Sequence, residues 1–406
     1  MKKLRKNVGY KNWDTSKDII FIFKLLIIIL VFGQRIGITY GDFQIPIIFL
    51  VVYCSMFYLM FRKKLLLNSL ALFLYIAVIL STTVCVLFAN SVNPPYSLLY
   101  LISIYLPLIF SVQVNNNFIN SMLCYFQKTV VVCVLFGIFQ YSCAFVGITY
   151  EDWFRIIPED LLIRGYNTYY PIEYGSNIIK SNGIFMLEPS FFSQFIAIAI
   201  MLELIYFKNY FRLIIYIIGV IISFSGTGLV MLLVFLFIYI MTSNMRNRMY
   251  FLIGGLLCLS VLINTNYFDS MLNRVNEFNI NSNSSANYRF LSPFLAIERA
   301  YWVNSNVYLF GFGAGSANRI DIPGIPGGTN YSVIPKLILE YGLISAILFL
   351  VFIGERFRKF TINNKYLILP SLLLMYFFLS GSLLQPQTVY LLFILFGFNR
   401  IKSQIS

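Results

Sequence analysis

The sequence predicts an all-α fold, a polytopic membrane bundle of about twelve transmembrane helices that forms a single domain over residues 1–406. Three observations support this prediction. First, 59% of the residues are hydrophobic and only 11% are charged, whereas a soluble protein carries far more charge on its surface. Second, most apolar stretches approach the ~20 residues that a helix needs to cross a bilayer. Third, basic residues lie in short clusters between these stretches, which is typical of topology signals.

The predicted elements follow in chain order. The first eighteen residues are basic and polar, and the long apolar segment that follows them has no small-residue cleavage pattern. We therefore expect an uncleaved cytoplasmic tail and not a signal peptide. Polar stretches at 149–182 and 265–332 predict two external loops that contain short helices. The stretches predicted to cross the membrane are 19–40, 43–61, 65–88, 97–114, 120–148, 183–207, 210–225, 227–243, 249–264, 333–353, 366–382 and 385–399.

The basic clusters predict the orientation. With a cytoplasmic N-terminus and about twelve spans, every cluster falls on the cytoplasmic side, as the positive-inside rule requires. Both termini are then cytoplasmic, and the two long loops and the 225–228 hairpin are external. The net charge of +14 is divided among separated clusters, so we expect the lipid bilayer and not a nucleic acid as the partner. The clusters are 2–6, 62–64, 208–212, 246–248, 356–359 and 400–402.

Composition also limits the chemistry. The chain has no histidine, which removes the commonest general base and the commonest metal ligand. Its six cysteines all lie in apolar stretches and predict neither a disulfide framework nor a metal cluster. The external loops hold no Asp-x-Asp pair and the chain has no Walker loop, so we expect no metal, no cofactor and no nucleotide hydrolysis. Any reaction must use carboxylates, arginines, hydroxyls and amides.

The first candidate site residue is Glu188. It is followed by Pro189 and Ser190 and stands at the mouth of a long apolar stretch. An ionisable side chain beside a membrane span is costly, which favours a functional role. The alternative is that Glu188 only caps the helix, because a proline in the first turn and an acid near the N-terminus are ordinary start signals.

The second candidate is a set of cations in the predicted external loops. Such loops are usually poor in Lys and Arg, so this number needs a reason. Arg289 and Arg319 stand out because Asp321 is the only acid within three positions of either. A guanidinium can grip two oxygens of a pyrophosphate at once. For each cation the alternative is a salt bridge within the loop or a solvated face. The set is Arg155, Arg164, Lys180, Arg274, Arg289, Arg299, Arg319 and Lys336.

Two short glycine motifs complete the candidates. The GFGAG motif at 311–315 follows no parallel-sheet unit, so it does not predict a dinucleotide site. It predicts a tight loop that brings backbone N–H groups near a ligand or lets helices approach closely. The SFSGTG motif at 223–228, with Ser225 and Thr227, combines hydroxyls and glycines at a span end. Its alternative role is simply to ease helix packing.

Taken together, these motifs resemble the O-antigen polymerase (Wzy) family. The similar features are the GIF-x-x-EPS segment at 183–190, the serine and glycine hairpin, and a large external loop with an arginine and a GxGxG turn. The closing segment TNYSVIPKLILEYGLIS, with Glu340 and Gly342 in the opening turns of a span, also resembles this family and the related O-antigen ligases. The motifs cover 181–345, and the span pattern covers the whole chain.

The resemblance implies a multi-pass enzyme of the bacterial cytoplasmic (inner) membrane with its active site facing the periplasm. Such an enzyme transfers a glycan from undecaprenyl pyrophosphate to the non-reducing end of another lipid-linked repeat unit, for O-antigen, capsule or exopolysaccharide. It implies no metal or cofactor, and a chain-length regulator as a candidate partner. Glu188 matches the carboxylate of the EPS motif, and Arg289 matches an arginine that holds pyrophosphate. The substrate-binding candidates are Arg319, Arg299, Arg164, Lys180, Ser225, Thr227, Asn330 and Tyr331.

Two departures favour polymerase over ligase. The ligases carry a histidine where this chain reads Thr329, Asn330 and Tyr331, and an arginine where it has Thr227. A flippase for lipid-linked sugars is the competing class, but it predicts two related halves and interrupted midplane spans, which the sequence does not show. A structural scaffold would leave the external cations unexplained.

The resemblance also suggests which residues perform the two steps of the reaction. A sugar hydroxyl attacks an anomeric carbon whose leaving group is a lipid pyrophosphate, so one group must accept a proton and another must stabilise the departing charge. We expect Glu188 to do the first. We expect Arg289 to do the second, supported by Arg319 and Arg299.

Overall fold

The structure, a computed structural model, is mostly helical with little sheet. It describes residues 17–41, 43–89, 96–148, 150–172, 178–242, 287–326, 329–361, 364–379 and 381–401. The predicted span 249–264 and the first part of the predicted loop 265–332, with Arg274, lie outside the described residues.

The helices follow most of the predicted spans. Short 3₁₀ or π turns extend several of them, so that α5 continues to Val146 and α6 continues to Phe207. The helices are α1 (Lys17–Phe32), α2 (Ile47–Phe61), α3 (Ser69–Phe88), α4 (Tyr96–Tyr105), α5 (Asn116–Ser142), α6 (Pro189–Leu202), α7 (Tyr210–Ser223), α8 (Gly226–Thr242), α9 (Ser292–Val303), α10 (Val307–Phe310), α11 (Val333–Arg358), α12 (Lys365–Leu374) and α13 (Pro386–Leu392).

Four described helices are long and apolar enough to cross a membrane: Ser69–Phe88, Asn116–Val146, Pro189–Phe207 and Val333–Arg358. Shorter apolar helices of 10–17 residues lie in several of the other predicted spans. The total of about twelve spans stays a prediction.

The mostly helical chain also has two small sheets, which the all-α prediction did not include. In the first, β1 and β2 form an antiparallel hairpin in which Gly37 pairs with Pro46. In the second, β4 pairs antiparallel with β3 and parallel with β5. The strands are β1 (Gly37–Tyr40), β2 (Phe43–Pro46), β3 (Leu65–Leu67), β4 (Phe110–Val114) and β5 (Asn399–Ile401).

The hairpin also corrects the predicted spans 19–40 and 43–61. Helix α1 ends at Phe32 and helix α2 begins at Ile47, and the residues between them form the two strands. The sequence misled because a short apolar run has the same hydropathy in a strand as in a helix. Gly41, at a φ of 58°, provides the turn between the strands.

The three-stranded sheet marks one end of the helical bundle. There Arg356 of α11 is buried and donates from Nη2 to the carbonyl oxygen of Gly397, over 3.1 Å, beside β5. Asp18, at the start of α1, lies 3.5 Å from Arg62 at the end of α2, so these two helices are antiparallel. Arg35, which follows the other end of α1, reaches the turn before Glu188. The sheet and Glu188 therefore lie at opposite ends of the bundle.

Helix α6 is the core of the bundle. Its residues are buried almost without exception, which is typical of a helix that is hydrophobic on all faces. It begins where Pro189 fixes a helical φ at the first turn, directly after Glu188 in an extended conformation with φ −147°. This start places Glu188 at the end of a deeply buried helix.

Candidate functional site

A buried amide network shapes the turn that leads to Glu188. The side-chain oxygen of Asn182 accepts hydrogen bonds from Gln140 Nε2 and from the backbone N–H of Ile184, each with a length of 3.0 Å. The amide nitrogen of Asn182 donates to the carbonyl oxygen of Met186 over 2.9 Å. Asn182 and Gln140 are buried, so these bonds replace the water that the polar groups lose. The turn is therefore held from inside the bundle.

Arg35 supports the same turn from the other side. Its guanidinium donates to both carboxylate oxygens of Asp152, over 2.7 and 2.5 Å, and to the carbonyl oxygen of Ile184 over 3.2 Å. Its Cζ atom also lies 4.2 Å from the ring centroid of Phe154. Ile184 has a φ of 68°, a conformation that costs a branched residue energy and needs such support. The sequence reasoning missed Arg35, although an arginine inside the predicted span 19–40 is a recognised signal.

Glu188 lies in a cluster of hydroxyl groups. Ser190 Oγ donates to Glu188 Oε2 over 2.9 Å. Thr227 Oγ1 lies 3.2 Å from Ser193 Oγ, 3.1 Å from Ser225 Oγ, and donates to the carbonyl oxygen of Ser190 over 3.2 Å. The structure thus brings the EPS segment and the SGTG hairpin together, although about 35 residues separate them in the chain. The carboxylate is half-buried and makes no capping hydrogen bond to its own helix.

Gly228 makes this contact between helices possible. Its backbone N–H donates to Ser193 Oγ over 3.2 Å. A Cβ at position 228 would stand 2.5 Å from the carbonyl oxygen of Ser193, which is closer than real Cβ atoms approach. The glycine thus has the packing role that was the alternative interpretation of the SGTG motif, while Thr227 contacts the EPS segment and Ser225 contacts Thr227.

A second set of polar side chains connects Glu188 to the segment that precedes α11. The hydroxyl of Tyr166 is hydrogen-bonded to the side chain of Gln385, and the Glu188 carboxylate is close enough to act on it electrostatically. Burial first, and the charge of Glu188 second, raise the pKa of Tyr166 to about 12, so the hydroxyl is protonated at neutral pH. Gln385 precedes α13, and a Cβ at Gly381 would lie 3.5 Å from Gln385 Nε2 and 3.3 Å from Asn330 Oδ1. Asn330 therefore lies near Gln385, at the end of this polar connection that is away from Glu188.

The backbone of Arg289 adjoins Asn330. Arg289 lies in the π-helical turn Asn287–Leu291 that precedes α9. The carbonyl oxygen of its neighbour Tyr288 accepts a hydrogen bond from the backbone N–H of Asn330 over 3.0 Å. This bond puts two predicted site residues, far apart in the sequence, on neighbouring backbone segments.

The GFGAG loop packs against a break in α11. Gly342 has a φ of 74° and a ψ of 174°, which interrupts the helix, and a side chain there would overlap the carbonyl oxygen of Leu309. The break leaves carbonyl groups of the preceding turn without helical partners. The loop supplies donors: Phe312 N–H bonds the carbonyl of Leu339 over 2.7 Å, and Gly313 N–H bonds that of Glu340 over 3.1 Å.

Glu340 is a buried carboxylate at this break, with 1% of its surface exposed. Lys336 Nζ lies 3.9 Å from Glu340 Oε1, and the backbone N–H groups of Gly315 and Ala317 face the carboxylate. Glu340 therefore fastens the glycine loop to α11 and positions the residues that follow Ala317. The sequence reasoning included Glu340 in the family resemblance but gave it no role.

Those following residues form a cleft of about 380 Å³. One wall is the loop after GFGAG, with Asn318 and Asp321, and the other is the approach to α11, with Thr329, Asn330 and Tyr331. Apolar side chains, among them Ile320, complete the lining. Burial raises the pKa of Tyr331, so its hydroxyl is also protonated at neutral pH.

The other predicted cations lie around this region with different partners. Arg164 is exposed and pairs with Asp160 over 3.1 Å and with Glu159 over 3.5 Å, so it has the partners of a loop salt bridge. Lys180 lies over the ring of Tyr170, 4.2 Å from its centroid. Arg299 donates to the carbonyl oxygen of Pro323 over 3.2 Å, behind the cleft loop.

Arg319 lies in the cleft loop itself, where its side chain is exposed and its backbone N–H donates to the carbonyl oxygen of Ser316 over 2.8 Å. Arg319 is therefore close to Asn318 in the wall of the cleft. The predicted site residues also left out Tyr166 and Gln385. Only the fold brings them together, since the order of residues gives no sign of their contact.

The chain matches no known family model, and comparison with curated proteins and with solved structures found no match.

Proposed function

We propose that this protein is a membrane-embedded polymerase of lipid-linked oligosaccharide repeat units, in the manner of the O-antigen polymerase family. Its substrates would be two undecaprenyl-pyrophosphate-linked glycans, and it would need no nucleotide sugar. The observation that carries the proposal is the joining of three separate motifs at one end of the bundle. Glu188 with its hydroxyl cluster, the Tyr166–Gln385 connection and the Asn330 segment beside the Arg289 backbone are neighbours in space.

The proposed topology has about twelve spans with cytoplasmic termini in a bacterial inner membrane. The distribution of basic residues supports it. Arg62, Arg356 and the strand that carries Arg400 belong to three separate clusters, and they come together at the sheet end. The positive-inside rule makes this end cytoplasmic. Glu188 lies at the other end and then faces the periplasm, where lipid-linked repeat units are displayed.

In the proposed reaction, a hydroxyl oxygen of the acceptor glycan bonds to the anomeric carbon of the donor glycan. The bond from that carbon to the pyrophosphate oxygen breaks, and undecaprenyl pyrophosphate leaves with the bonding electrons. The hydroxyl proton passes to Glu188. Its carboxylate already accepts a hydrogen bond from the Ser190 hydroxyl, as it would from the hydroxyl of the acceptor.

Arg289 is proposed to stabilise the charge that grows on the departing pyrophosphate. The carbonyl oxygen of its neighbour Tyr288 accepts a hydrogen bond from the backbone N–H of Asn330, so the backbone at position 289 lies next to Asn330. A guanidinium suits two phosphate oxygens because of its planar pair of donors. Loss of such a donor commonly slows a reaction by on the order of 10²–10³-fold.

A flippase of lipid-linked oligosaccharides is the second candidate, and the break in α11 favours it. Transporters often bind their cargo or a coupling ion at interrupted helices. In this chain, however, the carbonyl groups of Leu339 and Glu340 accept hydrogen bonds from the GFGAG loop. Because these hydrogen bonds use the carbonyl groups that would bind cargo or an ion, the break supports the polymerase over the flippase.

The test uses purified full-length protein in nanodiscs with a lipid-linked repeat unit as the only substrate. A gel that resolves chain length would compare wild type with Glu188→Gln and Arg289→Ala. The matched controls are Glu151→Gln, an exposed acid in the same loop region, and Arg62→Ala at the sheet end. We expect a ladder of products from wild type and both controls, and none from the two site variants, with all five proteins monodisperse in gel filtration. Movement of the sugar across a liposome bilayer without a ladder would favour the flippase instead.

A further inference from the structure

The cleft between the GFGAG loop and the approach to α11 has a lining of unusual charge for a site near pyrophosphate. Among the described residues that line it, the one charged side chain is the acid Asp321, and none is basic. A pyrophosphate group in the cleft would meet this carboxylate, because Arg319, the cation of the same loop, is exposed and is not part of the lining. The cleft is therefore matched to a neutral ligand.

The remaining lining residues match one kind of neutral ligand. Asn318, Asp321, Thr329 and Asn330 offer amide, carboxylate and hydroxyl groups, which together both donate and accept hydrogen bonds. A pyranose ring presents hydroxyls that do the same, and its C–H faces suit apolar walls such as Ile320. The volume of about 380 Å³ is at the small end of the ~300–1,000 Å³ of ligand pockets, which fits one or two sugar rings.

The walls of the cleft are held by their own hydrogen bonds. The carbonyl oxygen of Ser316 accepts from the backbone N–H groups of Arg319 over 2.8 Å and Ile320 over 3.0 Å. Thr329 Oγ1 donates to the carbonyl oxygen of Pro326 over 2.7 Å. A site whose backbone is fixed before binding loses less entropy when the ligand arrives.

We infer that this cleft is a saccharide subsite, which binds the terminal, uncharged pyranose ring of the acceptor glycan and directs one of its hydroxyls toward Glu188. The direction follows from Asn330, which lines the cleft and lies beside Gly381 and Gln385, while Gln385 bonds Tyr166 next to Glu188. That the bound glycan is the acceptor rests on the proposed function. The sugar-binding property stands on the cleft alone.

The first experiment measures binding without catalysis. Full-length protein in nanodiscs would be mixed with methyl glycosides of glucose, galactose, mannose, rhamnose and N-acetylglucosamine, and saturation-transfer NMR would detect contact. The variants are Asn318→Ala and Asp321→Asn, and the control is Asp18→Asn at the sheet end. We expect at least one glycoside to gain saturation with wild type and Asp18→Asn, and to lose most of it with both cleft variants.

Three results would overturn the inference. The first is no saturation of any glycoside, and the second is equal saturation with the cleft variants. The third is displacement of the sugar by inorganic pyrophosphate, because the cleft would then bind the anion.

The second experiment separates this inference from the proposed function. In the polymerisation assay we expect Asn318→Ala and Asp321→Asn to raise the apparent KM for the repeat unit about tenfold, with a smaller change in kcat. Asn318→Ala removes hydrogen bonds to bound sugar, and Asp321→Asn replaces an accepting oxygen by a donating NH2 group. A wild type that makes no polymer but binds glycosides in the cleft would defeat the proposed function and leave the subsite. A wild type that makes polymer, with cleft variants of unchanged KM, would defeat the subsite and leave the function.

Discussion

Arg35 and Asp152 form a buried two-point ion pair, with N–O distances of 2.7 and 2.5 Å, across 117 positions of sequence. The pair ties the start of the long loop after α5 to the end of α1. Because Arg35 also bonds the carbonyl of Ile184, it connects both elements to the turn before Glu188. The position of the candidate catalytic carboxylate therefore depends on an arginine that supports the turn before it.

Replacement of Arg35 by methionine should destabilise the protein by about 3 kcal/mol, the lower end for breaking a buried pair. The cost falls at the lower end because Asp152 keeps a hydrogen bond from the backbone N–H of Phe154, over 3.1 Å. Thermal unfolding in detergent would show a Tm several degrees below wild type. The control is Arg155→Met, an exposed arginine of the same loop, which should stay within about 0.5 kcal/mol. Equal effects of the two substitutions would contradict a structural role for Arg35.

The same pair predicts a pH dependence. Burial raises the pKa of Asp152, but the hydrogen bonds and charge of Arg35 outweigh it, so the net pKa is below the usual value. A carboxyl whose folded pKa is lowered adds stability above its unfolded pKa of about 3.9, and loses it as pH falls through the folded pKa. The Tm difference between wild type and Asp152→Asn should thus stay constant from about pH 8 to 5 and close only below about pH 4. A difference that closed between pH 7 and 5 would assign the effect to another group.

The sequence predicted the local features of the site better than its long-range contacts. Pro189 after Glu188 predicted the start of α6 because proline fixes φ at a first turn, and GFGAG predicted a tight loop because only glycine adopts its positive φ values freely. The contact of Tyr166 with Gln385 could not be predicted, since it depends on how helices distant in sequence pack together.

The hairpin β1–β2 and the small sheet were missed for a different physical reason. In an apolar chain the hydrophobic period no longer separates strand from helix, since residues on every face are apolar. The clearest case is Leu65–Leu67, which joined the predicted span 65–88 although it pairs as a strand with Phe110–Val114.

Alanine at Gly342 should destabilise the protein by about 2 kcal/mol or more and disorder the GFGAG loop. The positive φ strains any side chain, and the new Cβ would overlap the carbonyl of Leu309. Gly354→Ala is the matched control in the same helix, because a Cβ there meets nothing within 4 Å. It should be neutral or stabilise the helix by up to about 1 kcal/mol. Thermal unfolding measures both; a control that lost as much stability as Gly342→Ala would show that the helix break is not the cause.

Alanine at Gly228 should lower the initial rate of the proposed polymerisation strongly and the Tm only slightly. The new Cβ would press on the carbonyl of Ser193 and move the SGTG hairpin away from the EPS segment, so that Ser225 and Thr227 leave the hydroxyl cluster. A displacement of about 1 Å at a reacting group can cost on the order of 100-fold in rate. Initial rates from the chain-length gel, alongside Tm values, would test this. An unchanged rate with a lowered Tm would mean that the hairpin only packs and does not serve the site.

The connection between Tyr166 and Gln385 can be tested by a double-mutant cycle. Tyr166→Phe removes the hydroxyl and Gln385→Leu removes its partner, and each should lower kcat/KM by about fivefold to tenfold, the worth of one hydrogen bond. If the two side chains act as one link to Glu188, the double variant should lose no more than the worse single variant. Tyr169→Phe, an exposed tyrosine three positions away, is the control and should match wild type. Because the pKa of Tyr166 is about 12, its hydroxyl does not titrate near neutral pH, and Tyr166→Phe should leave the shape of the pH–rate profile unchanged. Multiplying losses in the double variant would show that the two residues serve the reaction separately.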